Sequence, residues 1–431
     1  MVANTLLDLI KSHKVTDYQG LEDIGDKISF QISVIIYIIC GFIVTSKTYI
    51  LKPLSCYTAI SPTGSNFDGY LRNYCWITGT VPWVPGDKFP QVGDDMKLDD
   101  SLKKINYYQW VPFVLALQCI MFYLPRLFWQ LMSYNKIGID LELIFKDASS
   151  ASNDDEAARK KKAKGIAKNL ANVFFFHRDY KYGTWANFRR KIFKFASFFM
   201  MSKRLGTWLT YWYFVMKLMF LANAVGQLYL IQRFLGFHGN NIFETSRIFF
   251  DSLVNGVQWT TSRLFPRVTV CSIDNIKLLG VENNYITQCV LSQNMLNEKI
   301  YMFLWFWLHI VIVVTLITIG LWCKKIIFLG SRAEFIKKFL KNHEVYRKSK
   351  RDSLDNFIQT FLRHDGSFII MMMTMNCGDL ITSHVVSELW EIYQSEYANS
   401  DTSSEKDPQL LKIYPNISSD FSEPMKNIDF I

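Results

Sequence analysis

"NYYQWVPFVLALQCIMFYLPRLFWQLM", residues 106–132, decides the class of this protein. Tyr107, Tyr108, Gln109 and Trp110 stand at the head of an apolar run. The run is long enough to cross about 30 Å of hydrocarbon at about 1.5 Å per helical residue. Amphipathic rings at its start suit the headgroup level of a bilayer. Pro112 falls in the first turn, where a missing N–H costs little. Pro125 is expected to kink the far half of the helix. Arg126 is close enough to that end to snorkel into water.

Three more blocks of similar length lie outward from this one. The chain has 431 residues, of which 50% are hydrophobic and 20% charged, and its apolar residues collect in blocks rather than in short periodic runs. The blocks are 28–50, 110–132, 209–231 and 300–322. Four such blocks predict an all-α membrane protein with four transmembrane helices.

An even number of spans puts both termini on one side, and charge selects the side. Lys203 and Arg204 precede the third span, with Arg189, Arg190, Lys191 and Lys194 upstream, and Lys324, Lys325, Arg332, Lys337, Lys338 and Lys341 follow the fourth. The positive-inside bias then makes 1–27, 133–208, 323–397 and the tail 398–431 cytoplasmic, and 51–109 and 232–299 extracellular. The protein is expected in the plasma membrane. This placement accounts for the net charge of +10 without a nucleic-acid partner. No Walker loop, G-x-S-x-G or H-E-x-x-H occurs, so no enzyme activity and no cofactor are expected.

Four of the eight cysteines fall in the extracellular segments: Cys56 and Cys75 in the first, Cys271 and Cys289 in the second. An even set on the oxidising side reads as two disulfides, with three connectivities open. Close C-x-x-C or H-x-x-x-H spacing is missing, so no metal site is expected.

Several elements resemble innexins, the invertebrate gap-junction proteins. Tyr107-Tyr108-Gln109-Trp110-Val111 is similar to the family's YYQWV signature. Pro53-Leu54-Ser55-Cys56 and Asn73-Tyr74-Cys75-Trp76 resemble its first outer loop, with Tyr57 where the family often has tryptophan. Leu264-Phe265-Pro266-Arg267-Val268-Thr269-Val270-Cys271 is similar to the FPRVTxC element of the second. Phe361-Leu362-Arg363-His364-Asp365-Gly366, Gly378-Asp379-Leu380 and Leu389-Trp390 look like the family's cytoplasmic C-terminal region.

The resemblance implies a four-helix subunit of a gap-junction channel passing ions and small molecules. Its subunits would form a homo-oligomeric ring, an octamer, docked onto an identical or related ring of the adjacent cell, with membrane lipids and other innexins as further partners. It also implies disulfides from Cys56 to Cys289 and from Cys75 to Cys271. Read from the residues themselves, the second outer loop carries a small β element, and the helical pattern of 333–395 within 323–397 predicts a helical cytoplasmic dome built with the middle loop 133–208. Two alternatives remain: an undocked hemichannel releasing small solutes, and a four-span adhesion protein without a conduit.

Particular residues follow from these readings. Thr5 to Asp8 fit a capping box, and Leu6, Leu7 and Ile10 form an apolar face. An amphipathic amino-terminal helix folded into the pore mouth would make Leu6, Asp8, Lys11 and Lys14 pore-lining, the charges setting selectivity. Ser29, Gln31, Ser33, Thr45 and Ser46 are expected to face a water-filled lumen. Lys217, inside the third span, is expected to snorkel. Val268, Val270 and Ile273 alternate as in a strand, and Asp274, Asn275, Asn283 and Asn284 are docking candidates. His309, in the fourth span, is expected to hydrogen-bond to a neighbouring helix rather than to serve as a ligand. The tail 398–431 is expected to be disordered.

Overall fold

The computed structural model describes residues 22–57, 65–83, 104–137, 141–152, 154–176, 206–236, 246–247, 249–251, 254, 265–278, 281–342 and 351–395. In chain order the elements are α1 (Ile24–Tyr49), β1 (Ser55–Cys56), α2 (Ser65–Thr78), β2 (Val81–Pro82), α3 (Tyr107–Ile137), α4 (Leu141–Ser152), α5 (Glu156–Phe176) and α6 (Trp208–Phe234). There follow β3 (Val268–Leu278), β4 (Val281–Val290), α7 (Ser292–Ile327), α8 (Leu329–Asn342), α9 (Arg351–Asn356), α10 (Arg363–Cys377) and α11 (Asp379–Tyr393). A π-helical turn, Ile28–Ile32, lies inside α1, and another, Phe357–Leu362, follows α9.

Helices α1, α3, α6 and α7 are long and apolar enough to cross a membrane. Helix α3 runs unbroken through Pro112 and Pro125. The chain divides into two compact units, one holding Ile24–Leu131 with Phe214–Gly320, the other Met132–Tyr213 with Leu321–Ile431 and Met1–Asp23.

In the first unit the four long helices share one core. Tyr37, Cys40 and Val44 of α1, Val111, Leu115 and Phe122 of α3, Leu228 and Ile231 of α6, and Tyr301, Trp305 and Leu308 of α7 are buried together. Their spacing of three, four or seven places each contact on one helix face. The opposite face of α1 is also apolar, with Ile35, Ile38, Ile39, Phe42 and Ile43 exposed. Lipid is as apolar as leucine, so helix packing and not water exclusion selects the inward face.

This overturns part of the lumen reading of the first span. Ser29 and Ser33 are buried. Ser29 Oγ donates to the Gly25 carbonyl at 2.9 Å and shares a 3.2 Å hydrogen bond with Thr315 Oγ1. Ser33 Oγ donates to the Ile28 carbonyl at 3.0 Å and accepts from Trp307 Nε1 at 3.0 Å. Without water in the hydrocarbon, a hydroxyl turns to the nearest carbonyl or the neighbouring helix. Thr45 is exposed and donates to the Gly41 carbonyl at 2.7 Å; Gln31 and Ser46 are half-buried.

The second unit packs α4, α5, α8, α10 and α11. Phe357 meets Trp390 edge-on at 5.1 Å and Tyr393 at 5.2 Å. Met371, Met372 and Met373 of α10 are all buried. Near them the start of α6 receives a long-range cap: Asp365 accepts from the Leu209 amide at 3.2 Å and from the Thr210 amide and hydroxyl at 2.9 and 2.8 Å. A helix begins with unsatisfied amides at its positive end, which a carboxylate suits. The Asp365 amide donates to the Gly206 carbonyl at 2.9 Å. Gly206 has φ +66°, and a Cβ there would meet Arg363 Cδ at 3.1 Å, so only glycine fits.

His364, beside this cap, has its pKa lowered to about 3, first by burial and then by the charge of Arg332. Burial raises the Asp365 carboxyl above its usual range, against the hydrogen bonds it accepts. The two act in opposite senses. Below about pH 6.5 an unfolded histidine takes a proton that folded His364 refuses until about pH 3, so it destabilises the fold progressively across that window. Asp365 holds its proton more firmly folded than unfolded, and so stabilises as pH falls through its raised value. Replacing His364 with Gln is expected to flatten the acid limb of the thermal-midpoint profile by up to about 1.4 kcal/mol per pH unit; an unchanged limb contradicts the assignment.

Candidate functional site

The four cysteines meet in a lobe built by the first and third of the loops between spans. Its sheet has the order β1-β4-β3-β2, antiparallel throughout. Cys56 lies opposite Cys289 in register and is bonded to it. Cys75, near the end of α2, is bonded to Cys271 of β3. These bonds close separations of 233 and 196 residues. The Cys56, Cys75 and Cys289 sulphurs lie within 4.8 Å of one another, but disulfide sulphur offers a metal no thiolate. Each bond stabilises by about 2–4 kcal/mol, chiefly by restricting the unfolded chain.

Leu54, Leu71, Ile273, Leu291 and Tyr108 fill the lobe's interior beside the sulphurs. The opening aromatics therefore do other work than the headgroup reading assigns them. Tyr108 is fully buried, its ring 4.6 Å from that of Trp76, and Gln109 Nε2 donates to the Trp76 carbonyl. Tyr107 packs edge-on against Phe234 at 6.0 Å and Phe265 at 6.3 Å. Only Trp110 of the three rings faces outward, 58% exposed. Tyr107 touches both hydrophobic cores, so the signature joins the lobe to the top of α3. In a sequence both arrangements read as aromatics before an apolar run.

The ends of the loops are fastened to the start of α7. The Gln293 amide and the Ser292 hydroxyl donate to the Pro53 carbonyl at 3.3 and 3.1 Å. Asn294 Nδ2 donates to the Pro266 carbonyl at 3.1 Å, and the Leu291 amide to that of Arg267 at 2.8 Å. Arg267 Nη2 and Lys299 Nζ flank the buried Glu298 carboxylate at 3.3 and 3.1 Å. Both proline-containing elements thus hold the lobe's base through their carbonyls.

Val268, Val270 and Ile273 lie in β3 as expected, with Val270 and Ile273 buried. The β3–β4 register shifts between Ile273 and Ile276, and Asp274 and Asn275 sit in that irregularity. Asn283 pairs with Ile276, and Asn284 follows it. The four docking candidates thus occupy one end of the hairpin by backbone position. Leu6, Asp8, Lys11 and Lys14 lie outside the described residues, as does the tail from 398.

A second candidate is the charge inside the spans. Lys217 does not snorkel: it is 0% exposed, and its Nζ lies 2.8 Å from Asp26 Oδ1, itself buried. The same Nζ donates to Thr318 Oγ1 at 3.3 Å. Residues 24–27, which carry the carboxylate, lead directly into the π turn of α1. A buried pair forms where its Coulombic gain and extra hydrogen bonds offset desolvation. The sequence shows the lysine but not which helix brings a carboxylate to it. His309 Nδ1 donates to the Trp305 carbonyl one turn back on its own helix, at 2.9 Å, and Nε2 lies 3.4 Å from Ser246 Oγ.

Residues 22–393 match the family described as Innexin. The chain is 30% identical over 376 residues to innexin unc-9 of Caenorhabditis elegans, covering 86% of this chain and 92% of that one. It is 29% identical over 389 residues to innexin eat-5 of the same organism, covering 86% and 87%. With innexin-3, also from Caenorhabditis elegans, it shares 29% over 375 residues, covering 86% and 83%.

Two outcomes follow from the geometry. Removing one partner of the Lys217–Asp26 pair, as in Asp26→Asn or Lys217→Met, is expected to cost about 3–5 kcal/mol. Membrane currents normalised to surface protein should drop in each single variant and recover in the charge-swapped double variant, Asp26→Lys with Lys217→Asp; a swap no better than either single contradicts the pairing. Cys75→Ser is expected to free the Cys271 thiol and destabilise the lobe by about 2–5 kcal/mol, read as maleimide labelling mapped to Cys271, in addition to the free thiols Cys40, Cys119, Cys323 and Cys377 that the wild type also carries.

Proposed function

The chain belongs to the innexin family, and from that membership we propose how its parts divide the work of a channel. It is a multi-pass membrane protein of gap junctions and a subunit of their oligomeric channels, through which ions and small molecules pass. Both termini and the second compact unit face the cytoplasm, as the basic residues flanking the spans favour. The disulfide-tied lobe is extracellular and is the docking element.

One observation carries the docking assignment: two loops far apart in sequence are covalently joined into a single stiff lobe. A surface that must match a copy on another cell gains affinity from being ordered before it binds. Asp274, Asn275, Asn283 and Asn284, at one end of the hairpin, supply hydrogen-bonding groups to the facing ring. The ring is an octamer of this chain, and it docks with an identical or a related innexin ring. Asp8, Lys11 and Lys14 of the amino-terminal segment, with Leu6 and Gln31, line the conduit, where a ring of like charges selects among ions.

Paired cells expressing only this chain are expected to pass a small anionic dye, and the transfer should be lost when Asn283 and Asn284 are both replaced by bulky Arg. Uptake by single cells should survive that replacement, because it needs the conduit and not the docked face. Dye transfer unaffected by the double variant contradicts the docking assignment. Particle images viewed along the pore axis should show eightfold symmetry.

A further inference from the structure

Arg332, in the second unit, is a buried cation with no carboxylate paired to it among the described residues. It is 6% exposed. Its Nε has no hydrogen-bond partner. An isolated buried cation is strongly unfavourable, so buried arginines ordinarily come with an anion. The neighbouring side chain does not supply one. His364 is buried beside it, hydrogen-bonded to the Ile326 carbonyl, and feels Arg332 as a like charge that favours its neutral form. Burial also lowers the Arg332 pKa, to about 10, which leaves the guanidinium charged at neutral pH.

Its surroundings point to where the anion comes from. Arg332 lies in the first turn of α8, where the positive end of a fourteen-residue helix adds to its charge. Its own amide makes the helix's 3.2 Å bond to the Phe328 carbonyl. A Cβ added at Gly330 would meet nothing within 4 Å, so space is open beside that turn. The apolar helix α7 ends at Ile327, just before this site. Ile327 and Phe328 are exposed hydrophobics, and Lys324 and Lys325 are exposed cations in the last turn of α7. Apolar and basic side chains interleaved at the end of a span are the composition of a bilayer's headgroup layer.

We propose that Arg332 is the base of a binding site for a phosphate-type anion, carried by the headgroup of an anionic membrane lipid, with the α8 amino terminus and Lys324 or Lys325 completing its recognition. Guanidinium binds phosphoryl oxygens through two parallel N–H donors, a geometry that lysine does not reproduce. The occupied site would fasten the membrane-proximal turn of α8 to the inner leaflet. The inference does not depend on the docking assignment, because it concerns the detergent-solubilised or reconstituted single ring as much as the junction.

The test uses the full-length purified protein in a neutral detergent. Thermal midpoints are measured against short-chain phosphatidylserine, short-chain phosphatidylinositol phosphate, short-chain phosphatidylcholine and inorganic phosphate, for the wild type, Arg332→Gln, Arg332→Lys and Asp379→Asn. Asp379 pairs with Lys338 on the same unit and serves as a control for general electrostatics. Anionic lipid is expected to raise the wild-type and Asp379→Asn midpoints, and phosphatidylcholine to leave them unmoved. In Arg332→Gln the half-saturating lipid concentration should rise about ten- to hundredfold, the loss of a charged hydrogen-bonding partner. Arg332→Lys should fall between, and carries the test if the Gln variant does not fold. An equal shift with inorganic phosphate would assign the site to a soluble phosphate instead of a lipid. No shift of the wild type with any anion, or the same affinity in wild type and both Arg332 variants, overturns the proposal.

Discussion

The pairing of cysteines across loops is the constraint on which the rest of the lobe depends. The β3–β4 hairpin alone is a two-stranded ribbon, which is marginal in water. β1 and β2 are two residues each, and α2 buries only Leu71 and Cys75, meeting the start of α3 through Trp76 and Tyr108. The bond from Cys56 to Cys289 makes β1 an edge of the sheet, and the bond from Cys75 to Cys271 lays α2 on its face. Small disulfide-tied lobes of this kind replace missing core with covalent restraint. The aromatic signature then couples the lobe to the helices, because Tyr108 is inside one hydrophobic cluster and Tyr107 packs against both.

A second constraint governs the span ends, where polar groups are taken out of water. Three of them meet specific partners: Ser33 with Trp307, Lys217 with Asp26, Asp365 with the first amides of α6. These contacts join helices far apart in the chain, and in hydrocarbon the alternative to each is an unsatisfied group costing several kcal/mol. These polar contacts add direction to packing that is otherwise apolar. Arg332 stands out against this pattern as the buried charge whose partner is not among the described residues.

The element-level design was legible in the sequence, since hydropathy alone marks four spans and compartment marks four cysteines. The class of fold and the family followed from those and from short motifs such as Tyr107–Val111 and Pro266–Cys271. What eluded the sequence was direction. Lys217 near a span end looks the same whether it reaches for water or for Asp26, because the carboxylate belongs to a segment nearly two hundred residues earlier. Ser29 and Ser33 look pore-facing by polarity, and their burial depends on where Thr315 and Trp307 of α7 come to lie. Tyr108 carries the amphipathic ring of a membrane anchor, and only the position of Trp76 turns it into lobe core. Local pattern gives an element its type; the partner across the helix interface decides which face it uses.

The central claim is that two outer loops form one covalently tied lobe, and peptide mapping of unreduced protein taken from junctional membranes tests it most directly. Alkylation followed by proteolysis should recover Cys56 linked to Cys289 and Cys75 linked to Cys271, with Cys40, Cys119, Cys323 and Cys377 alkylated. Recovery of Cys56 linked to Cys75 and Cys271 linked to Cys289, or of any of these four as a free thiol, would contradict it.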